Sequence, residues 1–367
     1  MDISKSLIAM DSPAILTIKP EYTQTKVGVY QHGNLCFLKT ISHPFEVLQS
    51  FKNNTDQFLF RAEAILDELQ KANIDISDIQ IVMARGGLIK PIASGIYAVN
   101  EAMMDDLRNS PVGRHSVNIG GLIANEIANR IEGAKAYIAD PAVVDELDEI
   151  ARYTGWPTVK RRSIFHALNH KFIARTFASS QQKKYEDLNL IVAHLGDGIS
   201  IGAHKKGRVA DVNQTFDGEG PFSLERSGSI PMADLVKMCY SGKFTEDQII
   251  AKIRYEGGAF AYLGNSSYYE LEKAEQQQNE MVLKIFEAMA YQVSKYIGYM
   301  SPVFIEPIDA ILITGTIANS KWFVNKVVER VKRIAPVHIY PGEDVLDALA
   351  MNGAMIINGE AEIKNYS

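Results

Sequence analysis

Residues 191–204, Ile-Val-Ala-His-Leu-Gly-Asp-Gly-Ile-Ser-Ile-Gly-Ala-His, constrain this chain more than any other stretch. They read as a buried apolar strand, a tight turn punctuated by Gly196 and Gly198, and a second strand running back. The two glycines predict a turn with positive φ, which a Cβ would oppose. Turned amides of this kind point inward and cradle a phosphate, and His194 stands at the mouth of the turn. Strands at 188–194, 199–204 and 208–213 make this a three-strand meander. The N-terminus repeats the layout, with strands at 14–18, 25–30 and 35–40. This predicts an ancient internal duplication of one βββαβαβα unit, an α/β fold of two such domains.

The remaining segments fit that plan. A helix is expected from Asn54 or Thr55 to about Ala72, with Phe58, Ala62, Ile65 and Leu69 on one face. Strands follow at 79–83 and 136–139, with a short one near 95–99 and helices at 101–109 and 118–130. Residues 144–153 and 162–179 read as helical, and the polar run 183–187 reads as a boundary. The expected domains are therefore 1–185 and 186–344, with a closing helix from 345 that packs back on the first. In the second, helices are expected at 233–240, 245–255 and 321–334, and strands at 309–314 and 337–339. The long helix 281–300 carries Val282, Ile285, Phe286, Met289, Val293, Tyr296, Ile297 and Met300 on one face, a pattern of core or subunit packing.

At 367 residues the chain exceeds one ordinary core. With 38 basic against 44 acidic residues the net charge is −6, which offers nothing to nucleic acid. No stretch of about 18 apolar residues suggests a membrane span, and the first residues lack a secretory h-region. Cys36 and Cys239 match no metal or redox spacing and read as buried core thiols, which fits a reducing cytoplasm.

Six blocks carry a resemblance: Arg85-Gly-Gly-Leu-Ile-Lys-Pro-Ile92, His115-Ser-Val-Asn-Ile-Gly-Gly-Leu-Ile-Ala124, Asp140-Pro-Ala-Val-Val-Asp-Glu-Leu147, Ser163-Ile-Phe-His-Ala-Leu-Asn169, Asp217-Gly-Glu-Gly-Pro-Phe-Ser223 and Tyr340-Pro-Gly-Glu-Asp344. They resemble the butyrate kinase family, within the superfamily of acetate kinase, sugar kinases and actin, and the resemblance extends from about residue 15 to 359. The resemblance implies the ribonuclease H-like, actin-type ATPase fold, with the two domains flanking a nucleotide cleft. It implies ATP- and Mg²⁺-dependent, reversible phosphorylation of a short-chain carboxylate to an acyl phosphate, by a homo-oligomer, dimer or higher.

The resemblance also implies site roles. Arg85 and Arg226 would hold phosphoryl or carboxyl oxygens, a task suited to planar guanidinium. His194 would donate to the phosphoryl in flight, and His115 with Asn118 would serve the substrate side. Asp140 matches the family's catalytic acidic position and would orient Mg²⁺ or the acceptor. Glu343 would be a second metal-side carboxylate or an ordinary turn carboxylate. Lys19, Thr23 and Lys26 of the first hairpin, and Gly196, Asp197 and Gly198 of the second, would face the nucleotide, with Gly315 and Thr316. His166 reads as a satisfied core or interdomain histidine. Ala193, small and next to His194, would leave room for an acid longer than two carbons.

The phosphate loops depart from the family. Asn-Pro-Gly-Ser-Thr-Ser-Thr-Lys becomes Lys19-Pro-Glu-Tyr-Thr-Gln-Thr-Lys26, the second hairpin's central glycine becomes Asp197, Thr-Gly-Gly becomes Thr314-Gly315-Thr316, and a glycine of the arginine loop becomes Ser229. Side chains at positive-φ positions would cost about 1 kcal/mol or more, and Glu21 and Asp197 would repel polyphosphate. Alternatively Lys19 neutralises phosphate and Asp197 binds the metal. The alternative function is therefore a weak or inactive paralogue acting as a binding or partner subunit.

Overall fold

The computed structural model describes residues 13–109, 111–113 and 115–367. The chain forms two compact units, Met1–Val143 with Asp344–Ser367, and Val144–Glu343.

In the first unit β1 (Ala14–Pro20), β2 (Gln24–Gln31) and β3 (Asn34–Ser42) form an antiparallel meander. Its second turn places His32 at φ 53° and Gly33 at φ 75°, the paired positive values of a tight hairpin. After α1 (Phe45–Gln49) and α2 (Phe58–Lys71), β4 (Ile79–Arg85) lies parallel to β1. Next come β5 (Ile96–Ala98), α3 (Glu101–Asn109), α4 (Ile119–Asn129) and β6 (Lys135–Ala139), which is parallel to β4. The core unites Leu16, Ile18 and Val82 of the sheet with Ala62, Ile65 and Leu69 of α2 and Ile119, Ile123 and Ile127 of α4. Period-2 and period-3.6 apolar patterns thus meet in one layer contact.

The second unit contains α5 (Ala167–Ser180) and the meander β7 (Asn189–Leu195), β8 (Ile199–Lys205) and β9 (Arg208–Val212). Helices α6 (Met232–Cys239), α7 (Glu246–Arg254), α8 (Gly258–Leu263), α9 (Tyr269–Gln277) and α10 (Glu280–Met300) follow. Then β10 (Ala310–Gly315), α11 (Lys321–Val331) and β11 (Val337–Pro341) complete it. The order β11-β10-β7-β8-β9 repeats β6-β4-β1-β2-β3, so the duplication is visible in the strand order itself. Helix α12 (Val345–Ile357) then packs on β1 and β4, and β12 (Ile363–Lys364) pairs with β5. Among the described residues no helix is long and apolar enough to cross a membrane.

Several expectations change. Residues 144–153 are not a helix; only the single turn Glu149–Arg152 forms. Asp145 accepts from Leu147 N and pairs with Arg152, while Glu146 accepts from Val209 N and Asp148 N donates to Ala210 O. Those tertiary partners outweigh local helical preference. Helix α5 begins at Ala167 rather than 162, because Ser163 Oγ donates to Val144 O and Thr215 N to Ile164 O. The segment from Val144 groups with the second unit, since α5 seats Ile173, Ala174 and Phe177 against Leu190, Val192 and Leu312. The apolar face of α10 is spent in that unit's own core, through Phe286, Met289, Val293 and Ile297.

Both cysteines are exposed, not buried. Cys36 lies on β3, an edge strand whose side chains are largely solvated, and Cys239 ends α6, which buries no residue. The core-thiol argument for a reducing compartment therefore falls away.

Candidate active site

In the second unit, alternation along β7 sends Ile191, Ala193 and Leu195 into the core shared with α10, and Leu190 and Val192 toward α5. Ala193 therefore faces the core, away from His194, and its small size does not open space beside that residue as expected. His194 is buried, and its Nδ1 lies 2.8 Å from Asn169 Oδ1 in the first turn of α5. The His166 ring stacks on it, with 3.9 Å between centroids and 19° between planes. Sequence reasoning set His166 aside; the fold puts it against the residue it favoured. His166 Nδ1 lies 2.8 Å from Ser200 Oγ. The Asn169 Nδ2 is buried without a partner among the described residues.

The turn after β7 corrects the glycine argument. Among the described residues the positive-φ positions include neither Gly196, Asp197 nor Gly198, nor Glu21, Tyr22, Ser229 or Thr316. Glycine at 198 has a different cause: a Cβ there would lie 2.2 Å from Arg226 Nη1. The guanidinium rests directly on the turn, donates to Thr215 O at 3.0 Å and covers the Phe216 ring at 5.5 Å. On the other side, a Cβ on Gly196 would meet His194 Nε2 at 3.2 Å and Thr316 Oγ1 at 3.7 Å. Asp197 is exposed; its carbonyl accepts from Ser223 Oγ. Burial first, and the Asp197 charge second, push the Glu225 carboxyl above its usual range.

Gly315 does have positive φ, 97°, and a Cβ would strike Leu195 O at 2.2 Å. It exchanges backbone hydrogen bonds with Gly342, at 3.0 and 3.1 Å, which brings Glu343 to the same strand end. One loop cluster thus gathers His194, Gly196, Asp197, Gly198, Arg226, Gly315, Thr316 and Glu343.

The first unit holds the other candidates. Lys19 and Lys26 face each other across β1 and β2, and Lys19 Nζ pairs with Glu21 at 3.0 Å. Burial alone would raise the Glu21 carboxyl, but Lys19 and the Gln24 amide together hold it below its usual range. The turn is fixed from beneath by Arg61, fully buried, which donates to the carbonyls of Glu21, Tyr22 and Gln24 and to Thr25 Oγ1. Burial depresses that guanidinium to about 10. Thr23 is exposed.

Arg85 ends β4, half-buried, with its carbonyl 2.4 Å from where a Cβ on Gly120 would be. Gly86 and Gly87 admit Pro141 and Asn118 at equally close range, 2.6 and 2.8 Å from an added Cβ. Asn118 clips the loop together: Oδ1 accepts from Leu88 N at 2.8 Å and Nδ2 donates to Gly113 O at 3.0 Å. His115 Nδ1 accepts from Val117 N at 3.2 Å. Asp140 is buried at φ 38°, a strained value for a residue with a Cβ, and Oδ1 accepts from Ser94 Oγ at 2.6 Å and Gly95 N at 2.9 Å. Lys364 Nζ in turn donates to Ser94 O at 2.7 Å, a contact with no sequence signal.

Comparison with known proteins gives this geometry a context. Residues 153–356 match the model of the Acetokinase family. Over 352 residues the chain is 47% identical to Butyrate kinase 1 of Clostridium acetobutylicum, covering 96% of this chain and 99% of that one. The chain belongs to the acetokinase family. Butyrate kinase 2 of the same organism is 45% identical over 352 residues, with the same coverage of both chains. The fold of this acetokinase-family chain matches that of Porphyromonas gingivalis acetate kinase, at TM-score 0.77 and 16% identity over 94% of this chain and 100% of the other.

Proposed function

We propose that this chain transfers the γ-phosphoryl group of ATP to the carboxylate of a short-chain acid such as butyrate, reversibly, giving an acyl phosphate and ADP by in-line displacement. The observation that carries the reading is the β7–β8 turn, flanked by the Arg226 guanidinium on Gly198 and by the His166–His194 stack beside Gly196. Phosphoryl transfer spreads charge over the equatorial oxygens, so catalysis is mainly positioning and electrostatic stabilisation. Arg226, braced by Thr215 O and Phe216, offers a planar cation that needs no reorganisation. His194 and His166 add ring N–H donors, and Arg85 and His115 serve the carboxylate.

Lys19, Thr23 and Lys26 are assigned to the nucleotide, as are Gly196, Asp197, Gly198, Gly315 and Thr316. Asp140 and Glu343 each offer a hard oxygen donor of the kind Mg²⁺ takes, and either would hold it with phosphate oxygens and waters completing the shell. Bound there, the ion would draw charge off the phosphoryl oxygens.

Two observations favour turnover over a silent binding role. Glu21 is neutralised by Lys19. Asp197 occupies a backbone conformation open to any residue. A homo-oligomer, dimer or higher, and a cytoplasmic setting accompany this reading and are checked by light scattering and fractionation. The deciding experiment traps acyl phosphate as hydroxamate from butyrate and MgATP, beside Arg226→Ala. Wild-type activity no higher than that background would sink the proposal.

A further inference from the structure

Behind the His166–His194 pair runs a line of side chains that the phosphoryl chemistry itself does not use. The Tyr185 hydroxyl lies 2.6 Å from His204 Nδ1, and His204 Nε2 lies 3.2 Å from His170 Nδ1. His170 Nε2 is 2.8 Å from Ser200 Oγ, and Ser200 Oγ is 2.8 Å from His166 Nδ1. Tyr185, His204, His170 and Ser200 are all buried. Burial, and then the neighbouring imidazoles and Lys171, hold His170 and His204 well below the usual histidine range, so both rings are neutral.

A neutral imidazole has one N–H and one lone pair. Along such a line the proton positions are not independent: Ser200 Oγ could accept from both rings, but its buried O–H would then lack an acceptor, so it accepts from one ring and donates to the other. Two polarities exist, and the tyrosine end decides between them. A phenol O–H donates to an imidazole nitrogen, the stronger acceptor, and 2.6 Å suits a bond from oxygen. His204 then donates from Nε2 to His170 Nδ1, and His170 donates from Nε2 to Ser200. Ser200 donates to His166 Nδ1, which leaves the His166 proton on Nε2.

We propose that Tyr185, His204, His170 and Ser200 are positioning residues that fix His166 as its Nε2–H tautomer. The inference rests on the phosphoryl-transfer reading for its purpose: a donor at Nε2 stabilises a charge-bearing oxygen, whereas a lone pair there repels it. It also explains why α5 and β8 spend buried positions on two histidines and a serine. Those residues are the remote end of a hydrogen-bonded line that finishes at the stacked pair.

The test uses the full-length protein labelled with ¹⁵N-histidine, without ligand, read by long-range proton–nitrogen correlation. The His166 signal is identified by its loss in His166→Gln. The expected spectrum has His166 protonated at Nε2 with a lone pair at Nδ1, and a His166 protonated at Nδ1 overturns the proposal. In Tyr185→Phe the determinant is gone, so both tautomers should populate at His166. The kcat for acyl phosphate formation should then fall in proportion to the fraction of His166 moved to the Nδ1–H tautomer, about twofold where the two are equally populated, with KM for MgATP little changed. An unaltered His166 spectrum in Tyr185→Phe overturns the network. Should wild-type protein form no acyl phosphate, the functional reading fails, while the spectra, which need no substrate, still decide the tautomer.

Discussion

The ring of His166 lies flat on the ring of His194, 3.9 Å away, although 27 residues separate them in the chain and they stand on different elements. His194→Ala should lower kcat about a hundredfold, the usual cost of one preorganised donor. His166→Phe keeps the stack and deletes both ring nitrogens. It should show a comparable loss of kcat with a melting temperature within a few degrees of wild type. Normal turnover in both variants would remove the pair from the reaction.

Gly198 and Arg226 should behave as one unit. A Cβ at 198 would sit 2.2 Å from Nη1, so Gly198→Ala must displace the guanidinium, yet it strains no positive-φ backbone. The expected result is a loss of kcat/KM approaching that of Arg226→Ala, with little change in urea midpoint. The double variant should be no worse than Arg226→Ala alone, a non-additivity typical of residues in contact. Additive losses would show that the contact does not matter to activity.

Asp197→Gly restores the residue common in the family but relieves no strain. Since a side chain is compatible with this backbone, glycine should cost about 0.4–1 kcal/mol through the added freedom of the unfolded chain. Equilibrium urea unfolding measures it. A gain in stability would mean that the turn is strained after all.

His43 links stability to pH. Burial first, and the Arg61 charge second, depress its pKa to about 4, against an ordinary value of 6.5. Between those values the unfolded chain binds the extra proton and the folded chain does not. The contribution is therefore present in full above pH 6.5 and is lost progressively as pH falls toward 4. A shift of this size corresponds to about 3 kcal/mol. His170 and His204 act in the same direction, so the informative quantity is the difference between wild type and His43→Gln. That difference should shrink on acidification; a difference independent of pH would refute the assignment.

Legibility in the sequence followed the range of the interaction. The stripe on α10 and the near-continuous apolar run of β7 are local patterns, and each produced the element expected. The repeated meander was readable because turn residues and strand lengths are also local. The region 144–153 misled because its carboxylates bond to β9 and to Arg152, partners no window of sequence contains. Gly198 was legible as special, but its reason is a guanidinium 28 positions away. His166 had one available signal: with Asn169 and His170 it sets a polar first turn on a helix that farther along buries Ile173, Ala174 and Phe177.

The placement of α12 bears on the timing of synthesis. Residues 144–343 are one continuous stretch and can close around β7–β11 as soon as they have emerged. The first sheet cannot, because the helix that covers β1 and β4 lies in residues 344–367. On a ribosome the domain begun first is thus finished last, and its apolar β1–β4 face waits uncovered for some two hundred further residues to be added. Chaperone dependence of this chain should track that interval.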